Sequence, residues 1–236
     1  MKDLRKKFTT VYATQAWGAH GRGSGRGSTE ENAENTRKAL MHVFDKYGMH
    51  SLLDAACGAL EWTEPFIREM RATDSTFTYC GIDVVEEVVE ANKARLPIDY
   101  CSFDAMDLSR EIPPSGYDLI LCRDALQHLP YENIAGMLDG FSKSGARYLL
   151  VTSFKNRILD FIQPPNRNIE IGDFFKNKLL RAPFRFNDGL IESLEDYRPT
   201  GNVTGHMLLV YDLSILSESS SFKSFIREYS MPADTR

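Results

Sequence analysis

Four acidic side chains recur at one kind of place along this chain, each after a short apolar run. Asp54 follows Ser51-Leu52-Leu53, Asp83 follows Phe77 to Ile82, Asp104 follows Tyr100 to Phe103, and Arg123-Asp124 follows Tyr117 to Cys122. Short apolar runs bounded by polar residues read as buried strands, and polar residues at the carboxyl ends of parallel strands line one crevice. The first run leads into Ala55-Ala56-Cys57-Gly58-Ala59, small residues that let a ligand approach the backbone. Asp83 lies about twenty residues beyond that turn, where a carboxylate can accept both ribose hydroxyls of a bound nucleoside. His128 titrates near neutral pH and reads either as a base or as a brace for the short helical segment that Pro130 interrupts.

These residues need elements to hold them. Leu4, Phe8, Val11 and Tyr12 share one helical face, so an N-terminal helix is expected over the open end of the sheet. Tyr12 and Trp17 then read either as facing the ligand or as packing aromatics. His20 to Thr29 is the most glycine-dense stretch, followed by apolar positions at helical spacing from Ala33 to Tyr47. Ser28-x-x-Glu31 has the form of a capping box, which predicts a helix starting there with free N–H groups for a carboxylate. On this reading Ser24, Gly25 and Ser28 help hold a carboxylate or the substrate, with Arg37 as a second contact; the alternative is a plain hinge. Helices are further expected over Glu61 to Met70, Val84 to Leu96 and Tyr131 to Lys143, with a fifth strand over Arg147 to Phe154. Two strands, Gly189 to Glu195 and His206 to Leu213, would be joined by a turn at Arg198 to Asn202.

The ordered series LLDAACG, YCGIDV, FDAMDL, YDLILCRDALQHL and ARYLLVTSF resembles the motifs of class I S-adenosylmethionine-dependent methyltransferases, over roughly Trp17 to Leu216. Trp17-Gly18 followed by Gly23-Ser24-Gly25-Arg26-Gly27-Ser28-Thr29 is similar to an unusual subset of them. The resemblance implies a Rossmann-like three-layer α/β sandwich: a seven-stranded, mostly parallel sheet with an antiparallel C-terminal strand pair and an N-terminal helical lid. It implies S-adenosylmethionine as cofactor, with S-adenosylhomocysteine as product. Trp17, Ser24, Gly25, Ser28, Arg37, Asp54, Ala55, Gly58, Asp83, Val84 and Arg123 would hold the cofactor, with Glu61 at the α-amino group of its methionine moiety. Asp104 would accept from the adenine amino group, Ala105 would donate its N–H to the ring and Met106 would lie on the purine. Arg123, Asp124 and His128 stand nearest the transferred methyl and are the catalytic candidates. Where the family's first motif commonly has three glycines, this chain keeps Gly58 and has Ala56 and Leu60 at the other two positions. Leu60 is thus expected to narrow the methionine sub-site.

The 236 residues read as one domain: N-terminal helices and glycine-rich lid (1–47), cofactor-binding half (48–155), substrate-side insertion and closing strands (156–213), and a Ser-rich tail from residue 214, frayed or weakly helical. The insertion's Arg157, Arg167, Arg181 and Arg185 read either as contacts for an acidic substrate or as exposed charges. Cys57, Cys80, Cys101 and Cys122 show neither CxxC pairing nor metal-ligand spacing, so they read as small apolar residues and no metal is expected. With 28 basic and 33 acidic residues the net charge is −5, which disfavours affinity from a phosphate backbone. Nor does Cys122-Arg123-Asp124-Ala125 match the Asn/Asp-Pro-Pro-aromatic motif of enzymes that methylate base nitrogens. No apolar run is long enough to span a membrane, and no secretory signal follows the basic N-terminus, so the cytosol is the expected address. The expected activity is methyl transfer to O or N of a small molecule or glycan. A tRNA or rRNA methyltransferase and a non-catalytic cofactor-binding scaffold are the alternatives.

Overall fold

The computed structural model describes residues 4–155, 166–196 and 205–230. Arg157 and the turn expected at Arg198 to Asn202 lie outside the described residues. Seven strands form one sheet: β1 (Ser51–Ala55), β2 (Thr78–Asp83), β3 (Cys101–Ala105), β4 (Leu119–Cys122), β5 (Tyr148–Phe154), β6 (Leu190–Glu195) and β7 (His206–Asp212), in the order β3-β2-β1-β4-β5-β7-β6. The first five are parallel, and β7 runs antiparallel to both β5 and β6. From β1 the chain moves outward through β2 and β3, then returns to place β4 on the other side of β1. This reversal opens a crevice beyond the carboxyl ends of β1 and β4.

Alternation along the strands divides the core in two. Leu53, Ile120, Cys122, Leu149, Val151 and Leu209 enter one apolar cluster, while their neighbours Leu52, Leu119, Leu121, Leu150 and Leu208 enter the other. Successive side chains on a strand point to opposite faces, so a sheet buried on both faces calls for consecutive apolar residues, as in Leu52-Leu53, Leu119 to Cys122, Leu149 to Val151 and Leu208 to Val210. On one face pack α2 (Glu34–Tyr47) and α3 (Thr63–Thr73), with Val89 of α4 (Glu86–Arg95). On the other pack α5 (Tyr131–Lys143), α6 (Leu213–Glu218) and α7 (Ser220–Tyr229). α1 (Leu4–Ala13) buries Leu4 and Val11.

The start of α2 departs from expectation. The Ser28–Glu31 pattern does not cap a helix: residues 26–28 form a single 3-10 turn, Thr29 Oγ1 accepts from the Asn32 N–H, and α2 begins at Glu34 without a side-chain cap. At its other end α2 stops as expected, Gly48 taking the left-handed conformation (φ 61°, ψ 48°). Of the two readings of the tail, the helical one agrees with α6 and α7; Ser219 caps α7 by accepting from the Phe222 N–H, and Phe222 and Phe225 are buried. The segment from Pro183 to Phe186 lies against the C-terminal helices. Phe184 and Phe186 are enclosed and pack on Phe225, which carries this segment onto the α5 and α7 layer.

Candidate active site

A cavity of about 920 Å³, counting its open mouth, lies at the carboxyl ends of β1, β2 and β4. Asp54, Gly58, Asp83 and Val84 form its floor, and Met106 with Leu108 one apolar side. Arg123, Asp124 and His128 form the opposite side, while Phe8, Tyr12, Trp17, Ser24 and Ser28 cover it from the N-terminal segment. Strand register explains the floor, since Asp54 pairs with Gly81 and Leu121 and Asp83 pairs with Ala105, bringing the strand ends level.

The glycine turn is wound through the left-handed region at all three positions where the family has glycine: Ala56 at φ 72°, Gly58 at 59° and Leu60 at 55°. Side chains at such φ are strained, and the surroundings must hold them. Leu60 is held by burial: it is 1% exposed and sits in the apolar cluster between α2 and α3. It therefore points away from the cavity, and the expected narrowing of the methionine sub-site does not occur. Gly58 has no such latitude, because a Cβ there would lie 2.7 Å from Ser24 Oγ. That hydroxyl accepts from the Ala59 N–H at 3.1 Å and shares a hydrogen bond of 2.8 Å with the Tyr12 hydroxyl. The lid thus docks on the turn.

Asp83 accepts from the Gly58 and Val85 N–H groups at 3.0 Å each, bonds that favour its charge while burial raises its pKa. Burial also raises Asp54, to about 7, against the lowering effect of a 2.9 Å hydrogen bond from the Tyr79 hydroxyl. At His128, Nδ1 lies 3.0 Å from the Asp173 carbonyl oxygen. A carbonyl only accepts, so Nδ1 carries the proton and Nε2 keeps its lone pair. Burial lowers this imidazole's pKa, opposed by the Asp173 carbonyl and by Asp124. The brace and the base are therefore one arrangement, with the ring stacked 4.9 Å from Trp17. Asp124, at φ 53°, is a third strained residue, its N–H donating to Thr152 Oγ1 and its Oδ1 accepting from Gln127.

Of the predicted residues, Trp17, Ser24, Ser28, Asp54, Gly58, Asp83, Val84, Met106, Arg123, Asp124 and His128 all reach the cavity wall. Gly25, Arg37, Ala55, Glu61, Asp104 and Ala105 do not. Because α2 starts late, Arg37 faces α3 and pairs with Glu69 at 2.9 Å. Ala55, the last residue of β1, is fully buried in the core, Asp104 is exposed, and Gly25 serves the loop's path at φ 90°. Trp62 lines the wall, whereas its neighbour Glu61 does not. Arg167, Arg181 and Arg185 lie outside the wall, Arg167 donating to the Phe174 carbonyl. Asp196 and His206, which no motif in the sequence marks, stand directly behind Arg123 and Asp124.

Residues 52–144 match a family described as a methyltransferase domain. No curated protein matches the sequence. Among solved structures the chain is similar to magnesium protoporphyrin IX methyltransferase from Synechocystis PCC 6803 with bound S-adenosylmethionine (15% identity, 89% of this chain and 97% of that one, TM-score 0.58). It is similar also to the N-methyltransferase NodS from Bradyrhizobium japonicum WM9 with S-adenosylhomocysteine (14% identity, 89% and 98%, TM-score 0.59). A third is the 1,6-didemethyltoxoflavin-N1-methyltransferase of Burkholderia thailandensis (15% identity, 88% and 86%, TM-score 0.61). At these identities the likeness is one of fold. The match to a methyltransferase domain thus falls on residues 52–144, and the described chain has the Rossmann-like fold seen in the S-adenosylmethionine-dependent methyltransferases compared with it.

Proposed function

We propose that the protein transfers a methyl group from S-adenosylmethionine to an oxygen or nitrogen of a small molecule or glycan. The observation that carries the reading is the floor of the cavity, where a buried carboxylate, Asp83, stands beside a glycine without room for a side chain. The residues present fit the cofactor. Asp83 uses one lone pair on each oxygen for backbone N–H groups and keeps the others for ribose hydroxyls. Val84 and Met106 give the adenine an apolar seat, and Ser24, Ser28 and Tyr12 supply hydroxyls above the glycine turn.

When bound, S-adenosylmethionine supplies the methyl on a sulfonium, so the leaving group is built in. The protein's own work is to align the acceptor, for which effective molarities of roughly 10⁵–10⁸ M set the scale, and to take its proton where it has one. His128 Nε2 is the atom that receives this proton, since its tautomer is set by Asp173, burial keeps the ring neutral, and Asp124 favours the imidazolium once a proton arrives. A hydroxyl acceptor needs this step and a neutral amine does not. Two of the compared proteins are named for N-methyl transfer, which supports a small-molecule acceptor without choosing between O and N. No helix of the described residues is long and apolar enough to cross a membrane.

Calorimetric titration of S-adenosylhomocysteine into the wild type and Asp83→Ala tests the reading. Wild type is expected to bind, and the substitution to weaken binding by about 1.5–3 kcal/mol for each charge-assisted ribose bond lost. A folded variant with unchanged affinity removes Asp83 from the site. A folded wild type that binds nothing overturns the cofactor reading. With binding in hand, labelled-methyl transfer into fractionated small-molecule and glycan pools identifies the acceptor.

A further inference from the structure

Arg123 belongs to the cavity wall, yet its guanidinium is committed to protein partners. Nε and Nη2 donate to Asp196 Oδ1 at 3.3 and 3.2 Å, and Nη1 donates to the Gly27 carbonyl oxygen at 3.0 Å. The Trp62 ring lies 5.5 Å beneath it. Asp196 stands just past β6, with its side chain wholly buried, and does not touch the cavity. It is fixed from α2, where Thr36 Oγ1 donates to the same carboxylate oxygen and Asn35 Nδ2 to its backbone carbonyl. His206, at the start of β7, brings Nδ1 to 3.6 Å from Asp124 Oδ1 and 3.9 Å from Asp196 Oδ2. One cluster thus joins β4, β6, β7 and α2 to the glycine-rich loop.

That loop needs external ties. Gly21, Gly23, Gly25 and Gly27 leave it few side chains to pack, and glycine loses more conformational freedom on ordering than any other residue. One tie is Ser24, bonded to the Ala59 N–H and to Tyr12. Arg22 adds another, donating to the Ala59 carbonyl at 3.4 Å and lying 3.7 Å from the Glu64 carboxylate, and the Gly27 carbonyl on Arg123 adds one more. A long side chain holds a single pose best where its charge is paired, and the buried carboxylate of Asp196 does this through two hydrogen bonds, with Asp124 Oδ2 3.6 Å from Nη1.

We propose that Asp196 is a positioning residue for cofactor binding: it holds Arg123 in the pose that ties the glycine-rich loop down at Gly27, and so keeps Ser24 and Ser28 on the cavity. The inference rests on the reading of this cavity as the cofactor's. Asp196 acts through Arg123, and its substitution alters the cavity without removing any group from its wall.

The test compares the full-length wild type with Asp196→Asn, which keeps the shape and removes the charge, by two readouts. Hydrogen exchange without ligand reports the loop amides of residues 20–28. Stopped-flow dissociation of S-adenosylhomocysteine is followed by the fluorescence of Trp17 and Trp62, the chain's two tryptophans, both on the cavity wall. Loop exchange and ligand dissociation are each expected to be about ten-fold faster in the variant, with β1 and β4 amides unchanged. A merely structural Asp196 would lower thermal stability and leave ligand dissociation at the wild-type rate. That result overturns the proposal, as does unchanged loop exchange. If the wild type binds no S-adenosylhomocysteine, the cofactor reading falls by itself and the exchange arm decides whether Asp196 holds the loop. The double variant Arg123→Met/Asp196→Leu removes both buried charges together, which guards against a fold lost to one unpaired ion, and the same two accelerations are expected of it.

Discussion

Asp54 and Asp83 have the same residue type and similar burial, yet their settings differ. Asp83 accepts two backbone N–H groups, while the hydrogen bond that the structure gives Asp54 is from Tyr79, so burial drives its pKa to about 7. An unfolded aspartate titrates near pH 3.9. Between about pH 4 and 7 the folded state therefore holds a proton that the unfolded state has lost, and stability from this group is full at low pH and declines as pH rises through 7. Asn at position 54 cannot ionise and can still accept from Tyr79. Asp54→Asn is thus expected to raise the melting temperature relative to wild type at pH 8 and to lose most of that advantage at pH 5. Thermal denaturation of both proteins at the two pH values reads this directly, and an equal difference at both would show that Asp54 stays ionised when buried. The glycine turn shows what a sequence cannot convey. The departure from glycine at Leu60 is legible in the letters, but the direction of its side chain is set by the φ of 55° and the space between α2 and α3.

At the scale of elements, α5 shows how closely the site's framework is packed. Gly136 faces the turn after β3, and a Cβ there would overlap the Ser109 carbonyl oxygen; Gly140 faces the Glu111 carbonyl, where a Cβ would lie at 3.3 Å. Met137, between them, reaches the cavity wall. Gly136→Ala forces α5 and the 107–111 turn apart and is expected to lower stability by about 1–3 kcal/mol or more. Urea unfolding measures it, with Ala135→Gly as a control for helix propensity. The strands were legible because a sheet buried on both faces writes continuous apolar runs into the sequence; each formed within two residues of its expected bounds. Helix starts were less legible. Ser28 and Glu31 have the right letters for a capping box, but Thr29 and Asn32 take the loop's hydrogen bonds and the first helical turn waits until Glu34. The tail's composition left frayed and helical readings open, since its serines mask Phe222, Phe225 and Tyr229, which lie at helical spacing.

Across the whole molecule the two ends of the chain do different work. The N-terminal segment supplies the cover of the cavity, and the C-terminal helices close the opposite layer. Asp196 and His206 could not be found by local reading, because nothing near them in sequence signals a site. They meet Arg123 and Asp124 because β7 inserts between β5 and β6 and carries its start to the open end of β4. The C-terminal closure is likewise non-local. Phe225 is 1% exposed, with its ring centroid 4.8 Å from Phe184, 5.7 Å from Phe186, 4.9 Å from Tyr229 and 6.1 Å from Tyr131. These rings come from the segment after residue 166, from α5 and from α7 itself, so one side chain joins three stretches of the chain. None of the five rings borders the cavity. Truncating a buried Phe to Ala removes its transfer free energy and leaves a void, at a cost of about 3–5 kcal/mol. Phe225→Ala is therefore expected to shift the urea midpoint strongly while leaving S-adenosylhomocysteine affinity near wild type below the unfolding transition. A loss of affinity in the folded variant would instead mean that the C-terminal layer sets the cavity's shape through α5 and Met137, and would make the tail part of the functional unit.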